Sequence, residues 1–349
     1  MQSLNLRNKR VLVTGACGTI GKELIRQLLE DYGVGELIGI DNNESELFFV
    51  DQIYGSYENA HFYLGDIRDI SKLTKLTKGI DIVFHTAALK HVILCEKSPY
   101  ESVQTNILGI KNVIDAALEC NVEKVIFTSS DKAVNPTNVM GTSKLMGERL
   151  ITAANSLARD KRTILASTRF GNVLGSRGSV IPIFREQIKS GKNLSLTHPE
   201  MTRFIMSIDE ATKLVIDSCE LAQGGGVFVT KMPVIRIKDL AEVMIQELAP
   251  VYGHNPEDIG ITVIGSKPGE KLYEELMSEE EMARTVELEK YFAVTPAFRC
   301  VYRHINYEYP GTLSKTVTRP YNSANETPLT QVELKDFLYK NNLLFETAS

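Results

Sequence analysis

The first strand and the turn after it occupy residues 10–21, which read Arg10-Val11-Leu12-Val13-Thr14-Gly15-Ala16-Cys17-Gly18-Thr19-Ile20-Gly21. The apolar residues predict a buried strand, and a helical pattern follows the glycines to about Tyr32. Glycines between a strand and a helix permit a tight turn, so that a pyrophosphate can sit at the helix N-terminus. The spacing G-x-x-G-x-x-G therefore predicts a dinucleotide site formed by Gly15, Gly18, Thr19, Ile20 and Gly21. The alternative is a glycine-rich turn that binds no ligand.

An acid ends the second predicted strand. Residues 36–40 form an apolar segment that stops at Asp41, twenty positions after Gly21. A carboxylate there can accept hydrogen bonds from an adenosine ribose, and it repels a 2′-phosphate. Because residues 42–44 contain no cation, we predict NAD as the cofactor and keep NADP as the less favoured possibility. Asp41 could instead cap the helix that follows it.

Strand and helix patterns alternate through the first 170 residues. Strands are predicted at residues 10–14, 36–40, 61–64, 81–85, 124–127 and 162–169. Helices are predicted at residues 99–119, where an apolar stripe begins at Val103, and at residues 139–158. This alternation predicts an α/β fold with a Rossmann-type doubly wound parallel sheet.

The pattern changes after Arg169 to glycine-rich loops and short elements. Helices are predicted at residues 180–191, 208–222, 237–248 and 331–343, a strand at residues 227–229, and a helix start within residues 267–274. We therefore predict that residues 1–170, joined by residues 207–250, form an NAD(P)-binding domain. Residues 171–206 and 251–349 form a smaller C-terminal lobe in this prediction.

Composition excludes several function classes. The 349 residues suffice for one large domain or two lobes, and the net charge of −5 without basic clusters argues against a nucleic-acid or membrane surface. The five cysteines are scattered without a Cys-x-x-Cys pair, so we expect neither a disulfide framework nor a metal site. No signal-peptide or bilayer-spanning segment is evident, which predicts a cytoplasmic protein.

The fifth predicted strand changes from apolar to polar at its carboxyl end, in the segment Phe127-Thr128-Ser129-Ser130-Asp131-Lys132. Open α/β sheets bind ligands at this end of their strands. A neighbouring acid and amine at such a point can transfer protons. The alternative is an exposed Asp and Lys in a turn.

The third and fourth predicted strands also end in candidate cofactor contacts. Asp66, followed by Ile67, could receive the adenine amino group, although a turn aspartate is an equal alternative. Ala87 and Ala88 are small enough for the backbone to lie against a cofactor. His91 could carry a proton, but a structural role is more common for a single His in a loop.

Five motifs, taken in order, resemble those of the extended short-chain dehydrogenase/reductase family, and within it the bacterial UDP-N-acetylglucosamine 4,6-dehydratases. They are residues 87–92, 130–136, 168–173, 201–204 and 268–271. The resemblance covers residues 8–290. The chain departs from the family pattern Tyr-x-x-x-Lys because Met140 stands at the Tyr position, while Lys144 is kept. A subgroup of these dehydratases resembles the chain in having Met there.

The resemblance implies an internal redox cycle on a UDP-sugar, for bacterial surface-glycan or nonulosonic sugar biosynthesis. C4 is oxidised, the C5 proton and the C6 hydroxyl leave as water, and the hydride returns to C6. It implies Lys132 as the base, Asp131 as the acid and Lys144 at the nicotinamide ribose. Ser130 would relay the C4 hydroxyl proton, and Met140 would pack beside the sugar or nicotinamide. We expect a lowered pKa for Lys132 and a raised pKa for Asp131, so that the two side chains diverge or titrate as a coupled pair.

The resemblance also implies that the C-terminal lobe binds the substrate. Expected cofactor contacts besides those above are Ala87, Ala88, Lys90 and Asn106. Expected substrate contacts are Lys90, His91, Asn172, Ser179, Val180, Thr197, Met201, Arg203 and Glu274. Among these, Arg203 would pair with the diphosphate and Glu274 with the ribose hydroxyls.

Relatives often pair the helices at residues 99–119 and 139–158 between copies, so we expect a homodimer or a larger homo-oligomer. Two other functions stay open. A nucleotide-sugar 4-epimerase would need a C4 base but no acid–base pair for elimination. A non-catalytic dinucleotide-binding protein would explain the missing Tyr, although the retained Asp131, Lys132 and Lys144 argue against it.

Overall fold

The computed structural model describes residues 5–157, 163–176, 178–265, 269–298 and 305–345. Its strands are β1 Arg10–Thr14, β2 Glu36–Asp41, β3 Ala60–Leu64, β4 Ile82–His85, β5 Lys124–Ser130, β6 Ile164–Phe170, β7 Asn172–Val173, β8 Leu194–Leu196, β9 Thr202–Met206, β10 Val227–Thr230, β11 Val234–Arg236, β12 Ile261–Val263, β13 Glu275–Met277, β14 Thr285–Leu288, β15 Tyr291–Val294, β16 Thr312–Ser314 and β17 Tyr321–Asn322.

The helices in the same ranges are α1 Thr19–Arg26, α2 Glu44–Tyr54, α3 Ile70–Thr77, α4 Val92–Lys97, α5 Pro99–Ser102, α6 Gly109–Glu119, α7 Val139–Leu157, α8 Val180–Lys189, α9 Ile208–Leu221, α10 Ile237–Leu248, α11 Glu279–Met282 and α12 Gln331–Lys340. α1 and α5 continue into π-helical turns at Gln27–Asp31 and Val103–Leu108. Short 3-10 turns lie at Asp131–Ala133, Pro250–Tyr252 and Pro256–Asp258. Ala158 and Arg162, the predicted ends of a helix and a strand, lie outside the described residues.

Ten strands of the described ranges form the main sheet, in the order β16-β14-β15-β10-β6-β5-β4-β1-β2-β3. Every pairing from β3 across to β10 is parallel. The central order β3-β2-β1-β4-β5-β6, with helices between the strands, is that of a doubly wound Rossmann fold, so the predicted fold class is confirmed. The strand order reverses between β1 and β4, and ligands bind such sheets at the carboxyl ends beside this reversal.

The strands at the centre of this sheet are apolar in their middle sections because helices cover both faces. Leu12 of β1, Val83 of β4 and Val125 of β5 belong to one buried cluster with Ile110 of α6 and Ile151 of α7. The packing fixes where the polar carboxyl ends of β1, β4 and β5 project.

A π-helical turn interrupts the predicted apolar stripe of residues 99–119. The wider turn at Val103–Leu108 shifts the helix phase, since each hydrogen bond spans five residues rather than four. Val103, which the helical spacing assigns to the stripe, is partly exposed, and the polar Asn106 is buried instead. The stripe holds from Ile110 onward.

The chain forms two compact units. Unit 1 comprises Met1–Phe170, Ala211–Lys231 and Met277–Pro320, and unit 2 comprises Gly171–Glu210, Met232–Leu276 and Tyr321–Ser349. These boundaries differ from the predicted domains in three places, the smallest being residues 207–210, which lie in unit 2. Residues 232–250 belong to unit 2, because β11 pairs with β9 and α10 packs in one core with α8. Residues 277–320 belong to unit 1, because β15 pairs with β10 and extends the main sheet through β14 and β16.

The predicted helix start within residues 267–274 is wrong for the part that the structure describes. Gly269 lies in a turn with a φ of 78°, and irregular backbone leads from there into β13. Here the chain binds the segment of Arg203 instead of itself: the Leu272 carbonyl accepts the backbone N–H of Thr202, and the Arg203 guanidinium binds the carbonyl oxygens of Lys271 and Leu272. Lys267 and Pro268 lie outside the described residues.

Candidate functional site

The turn after β1 is packed so closely that it excludes side chains. Gly15 has a φ of 74°, and a Cβ on it would lie 2.6 Å from the backbone nitrogen of Ala87. A Cβ on Gly21 would lie 2.0 Å from the carbonyl oxygen of Gly15. Gly18 occupies the N-cap position of α1, so no side chain of the N-cap competes for the first-turn N–H groups, those of Thr19 and Ile20 among them. A pyrophosphate fits this cradle.

Asp41 lies beside the glycine turn at the end of β2. Its Oδ2 accepts the backbone N–H of Cys17 at 2.9 Å, and its Oδ1 accepts that of Asn43 at 2.9 Å. The N-cap of α2 is Asn43, whose side chain accepts from Glu46, so the alternative that Asp41 caps this helix is wrong. Because a carboxylate oxygen has more than one acceptor site, Asp41 can still bind ribose hydroxyls.

The structure adds a cation, Arg68, that the sequence argument about residues 42–44 did not consider. The Arg68 guanidinium donates to Asp66 at 2.7 Å and to Glu101 at 3.1 Å, and the Asn42 amide donates to Asp66 at 3.4 Å. The hydrogen bonds from Arg68 lower the pKa of Asp66 despite its partial burial. Two carboxylates therefore already neutralise the cation, and Ile67 beside them is buried.

Asn106 acts on the loop after β4. Its Oδ1 accepts the N–H of Leu89 at 2.8 Å, and its Nδ2 donates to the Leu89 carbonyl at 2.9 Å and to Ser143 Oγ at 2.9 Å. Both amide hydrogens are thus used inside the protein, which favours a role in positioning the loop over the predicted cofactor contact. That loop carries Ala87 and Ala88, which are half-buried, and Lys90 and His91, which are exposed.

Asp131 and Lys132 form a pair in the 3-10 turn that follows β5. Asp131 is buried, and its Oδ1 accepts from Ser130 Oγ at 2.7 Å and from Lys132 Nζ at 3.1 Å. Its Oδ2 is buried without a hydrogen-bond partner in the described part of the chain. The Lys132 side chain is 26% exposed. The two side chains therefore do not diverge, and coupled titration stays a prediction.

Lys144 projects from α7 toward the end of β5. Its Nζ donates to the carbonyl oxygen of Thr128 at 2.9 Å and lies 4.8 Å from the centroid of the Phe127 ring. Burial lowers the pKa of Lys144 to about 8, against the opposing effect of Glu148. A buried ammonium with one carbonyl partner retains two N–H donors for ribose hydroxyls.

His85 ends β4 close to this lysine. Its Nδ1 lies 2.7 Å from Thr14 Oγ1, and its ring stacks on Phe127. Burial, assisted by the charge of Lys144, lowers the pKa of His85 to about 3. The imidazole is therefore neutral at physiological pH.

Met140 is buried in the first turn of α7, one turn before Lys144 and on the same face of the helix. A thioether carries no exchangeable proton, so this position cannot do the work of a phenol. Burial fits both packing beside a ligand, as predicted, and simple core filling.

In unit 2, Arg203 has a structural use. Its guanidinium donates to the carbonyls of Thr202 at 2.7 Å, Leu272 at 3.2 Å and Lys271 at 2.8 Å. Glu274 lies 3.5 Å from its Nε. Both Arg203 and Glu274 are buried. This geometry favours bracing of the chain at residues 271–274 and leaves the diphosphate contact a prediction.

Of the other predicted substrate contacts, Lys90 and His91 lie in unit 1 and the rest belong to unit 2. Ser179 is the N-cap residue of α8, and Val180 begins that helix. Asn172 lies in β7, and Thr197 donates to the sulfur of the buried Met201 at 3.5 Å. Arg177 of the same loop lies outside the described residues. For this group of residues the contacts with substrate stay predictions.

Sequence reasoning did not identify a buried ion cluster centred on Arg169. Glu148 of α7 accepts from this guanidinium at 2.8 Å and 2.7 Å, and Glu281 of α11 accepts at 2.8 Å and 2.7 Å. Burial raises the pKa of Glu281, but the charge and hydrogen bonds of Arg169 outweigh it and lower that pKa to about 2. The partners lie 21 and 112 residues from Arg169 in sequence, which explains why local patterns give no signal.

Among the described residues, no group of three His, Cys, Asp or Glu side chains is placed to hold a metal ion. A search of the same residues finds no helix with the length and apolarity needed to cross a bilayer.

Comparison with protein families gives a match to the polysaccharide biosynthesis protein family over residues 11–296. An uncharacterized membrane protein of Methanocaldococcus jannaschii, MJ1061, is 52% identical over 83% of this chain and 86% of its own. A UDP-N-acetylglucosamine 4,6-dehydratase (inverting) of Campylobacter jejuni is 39% identical over 84% of each chain. A UDP-glucose 4-epimerase of Rickettsia canadensis is 36% identical over 97% of this chain and 98% of its own.

Among solved structures, the X-ray structure of Pen from Bacillus thuringiensis matches with a TM-score of 0.89 at 39% identity. It covers 97% of this chain and 99% of that one. The shared architecture thus extends beyond the central sheet to nearly the whole length.

Proposed function

The chain belongs to the polysaccharide biosynthesis protein family, and on that premise we propose that it is a nucleotide-sugar 4,6-dehydratase acting on UDP-N-acetylglucosamine. The product would be a UDP-4-keto-6-deoxy-N-acetylhexosamine. The observation that carries the proposal is the pair Asp131 and Lys132, held 3.1 Å apart at the carboxyl end of β5. The similarity to a dehydratase over 84% of the chain supports it.

NAD is the proposed cofactor. The glycine cradle at Gly15 and Gly21 fits a pyrophosphate, Asp41 fits an adenosine ribose, and Lys144 fits the nicotinamide ribose. When bound, NAD would supply hydride acceptance at C4 of the sugar and hydride return at C6. We expect the purified protein to release NAD on heat denaturation, identified by mass spectrometry, whereas release of NADP would contradict the assignment.

The elimination needs a base at C5 and an acid at C6. In the proposed mechanism the C4 ketone acidifies the C5 proton, and neutral Lys132 accepts it. The electron pair of the C5–H bond forms the C5=C6 bond, and the C6–O bond breaks as protonated Asp131 gives its proton to the leaving hydroxyl. Water departs. Asp131 Oδ2 suits the donor role, because it is buried without a partner in the described residues, whereas Oδ1 accepts three hydrogen bonds.

The proton balance of this step favours a coupled pair. Before elimination the base, Lys132, must be neutral and the acid, Asp131, must be protonated. After elimination Lys132 is an ammonium and Asp131 is a carboxylate. Ser130, which donates to Asp131 at 2.7 Å, is the proposed relay that passes the C4 hydroxyl proton to the Asp131 carboxylate.

Unit 2 is proposed to bind the nucleotide part of the substrate. Val180 at the start of α8 offers an N–H group suited to phosphate oxygens, Ser179 offers its hydroxyl, and Asn172 offers an amide. Arg203 and Glu274 support this unit from its interior.

A UDP-glucose 4-epimerase is the second candidate, because such relatives match 97% of the chain. Epimerisation returns the hydride to C4 and breaks no bond at C5 or C6, so it leaves Asp131 and Lys132 without a use. A non-catalytic dinucleotide-binding protein is the third.

One experiment separates the three. Purified protein is incubated with UDP-N-acetylglucosamine in D₂O, and the sugar is followed by ¹H and ¹³C NMR. We expect a 4-keto-6-deoxy product with deuterium at C5, because C5 must be reprotonated from solvent. A C4-inverted sugar with hydrogen at C5 would establish the epimerase, and unchanged substrate here and in a parallel incubation with UDP-glucose would contradict both enzymes. Heat-inactivated protein is the control.

A further inference from the structure

The buried charges of unit 1 form an alternating series that starts at the candidate site. Lys144 and Glu148 lie one turn apart on the same face of α7. Arg169 of β6 binds Glu148 through Nε and Nη2, and it binds Glu281 through Nη1 and Nη2. The series Lys144, Glu148, Arg169, Glu281 has no net charge, and each of the four residues is buried.

We infer that Glu148, clamped by Arg169, is a positioning residue that keeps the Lys144 ammonium charged and directed at Thr128. The inference rests on the proposed function only in giving Lys144 its place at the nicotinamide ribose. Arg169 occupies both carboxylate oxygens of Glu148, so the carboxylate stays fixed beside α7 instead of turning to bind Lys144 directly.

Other ionisable groups do not replace Glu148. Burial lowers the pKa of Lys144 to about 8, and the groups that oppose this are Glu148 and, more weakly, the Cys95 thiol of α4. The His85 imidazole of β4, buried and neutral, supplies no negative charge.

Three charged groups on elements packed against α7 have other partners. Asp131 and Lys132, in the turn after β5, pair with each other. Glu96 of α4 accepts the N–H of Val139 at the start of α7. Glu148 is thus the carboxylate whose field the buried ammonium requires.

The test is the titration of Lys144 in the full-length protein labelled with [¹³Cε]lysine, before and after addition of NAD. The Lys144 signal is identified by its loss in Lys144→Met. We expect a midpoint near pH 8 in the wild type and a midpoint lower by about 1 pH unit in Glu148→Gln, since an opposite charge at this range shifts a titration by about that much.

Glu281→Gln is the matched control, because it removes the other carboxylate from the same guanidinium. We expect its Lys144 midpoint to stay within about 0.3 pH unit of the wild type, given the screening of a more distant charge. An unchanged midpoint in Glu148→Gln, or an equal shift in Glu281→Gln, would overturn the inference.

If Glu148→Gln does not fold, the double variant Glu148→Gln/Arg169→Met removes the carboxylate with its partner and leaves Glu281 near Arg284 at 3.4 Å. It must show a midpoint below that of the wild type, by less than in Glu148→Gln because a cation leaves with the carboxylate, and a midpoint at or above the wild type would equally overturn the inference. Because the titration is read without turnover, its outcome is independent of whether the protein proves to be a dehydratase.

Discussion

At the scale of single residues, the arrangement of Asp131 and Lys132 assigns different tasks to the two oxygens of one carboxyl group. Oδ1 holds the turn together by accepting from Ser130 and from both nitrogens of Lys132. Oδ2 makes none of these bonds and is the oxygen left for chemistry. In the proposed mechanism the acid and the base are thus held by each other and by Ser130.

Asp131→Asn and Lys132→Met should each reduce elimination by about 10²- to 10⁴-fold, the range typical of a lost general acid or base. Each side chain moves one proton, and neither replacement does so. Turnover is measured by NMR on UDP-N-acetylglucosamine, and bound NAD by its release on heating, which should be unchanged. Asp115→Asn and Lys111→Met, which disrupt an exposed ion pair on α6, serve as matched controls. If a variant of Asp131 or Lys132 keeps its turnover within about threefold of the wild type, the role assigned to that residue is wrong.

Lys144→Met should raise the free energy of unfolding at pH 7. The depressed pKa, about 8 against the ordinary 10.5, corresponds to a cost on the order of 3 kcal/mol for keeping the buried ammonium charged. Below pH 8 this cost is present in full. Between pH 8 and 10.5 the unfolded chain binds more protons, so the wild type gains stability and the difference shrinks. Urea unfolding at pH 7 and pH 10 measures it, and a difference that grows with pH would contradict the sign.

At the scale of elements, the turn between β1 and α1 depends on close packing of the backbone, and the Asp41 carboxylate also binds the N–H of Cys17. Gly21 packs against the Gly15 carbonyl, and Gly15 packs against the backbone at Ala87. The first helix can start at the correct place only if both positions lack a side chain.

Gly21→Ala should lower the midpoint of thermal unfolding and abolish NAD retention, because its Cβ would lie 2.0 Å from a carbonyl oxygen. Displacement of α1 on this scale costs about 1–3 kcal/mol. Gly18→Ala is the graded comparison, since its Cβ would lie 3.2 Å from the same oxygen at a φ of −70°. Calorimetry on both variants measures the midpoint of thermal unfolding. Equal midpoints would show that the contact between the added Cβ and the carbonyl oxygen does not determine stability.

Sequence patterns predicted what depends on near neighbours along the chain. The glycine turn, the alternation of strands and helices, and the polar end of β5 follow from spacing within about 30 residues, which is the length of a βαβ unit. The π-helical turn at Val103–Leu108 was missed because it changes the helix period inside one segment. The antiparallel strands β14 to β16 were missed because pairing with a distant strand, not an apolar pattern, defines them.

The same limit applies to the candidate site. Asp131, Lys132 and Lys144 lie at positions that local pattern and family resemblance identify. The use of Arg203 on main-chain carbonyls and the clamp of Arg169 on Glu148 and Glu281 depend on contacts between distant segments. A charged residue in a motif indicates a structural or functional role, and its contact partners determine which role it has.

At the scale of the whole molecule, each unit is assembled from three separate stretches of the chain. Unit 1 also exposes apolar side chains on the helices expected to pair two copies. These include Tyr100, Leu108 and Met146. Several exposed apolar side chains on two neighbouring helices support the prediction of a homo-oligomer.

Leu108→Glu should convert the protein from a dimer or larger assembly to smaller species, because a charge buried at an interface lacks a partner. Sedimentation velocity at several concentrations measures the change. Phe48→Glu, on the exposed face of α2, is the control and should leave the assembly as in the wild type. A wild-type protein that sediments as a monomer at all concentrations would contradict the prediction.

β15 follows β10 in the chain and is therefore synthesised after it, which has a consequence for folding on the ribosome. β10 joins the parallel sheet through β6, and in the described part of the chain its other edge is covered by residues 291–294. A nascent chain halted anywhere between them carries a strand whose free N–H and C=O groups can recruit a second unfinished chain. Truncation after Leu276 should therefore yield aggregates instead of a free-standing nucleotide-binding domain, and chaperone dependence should be greatest over this interval of translation.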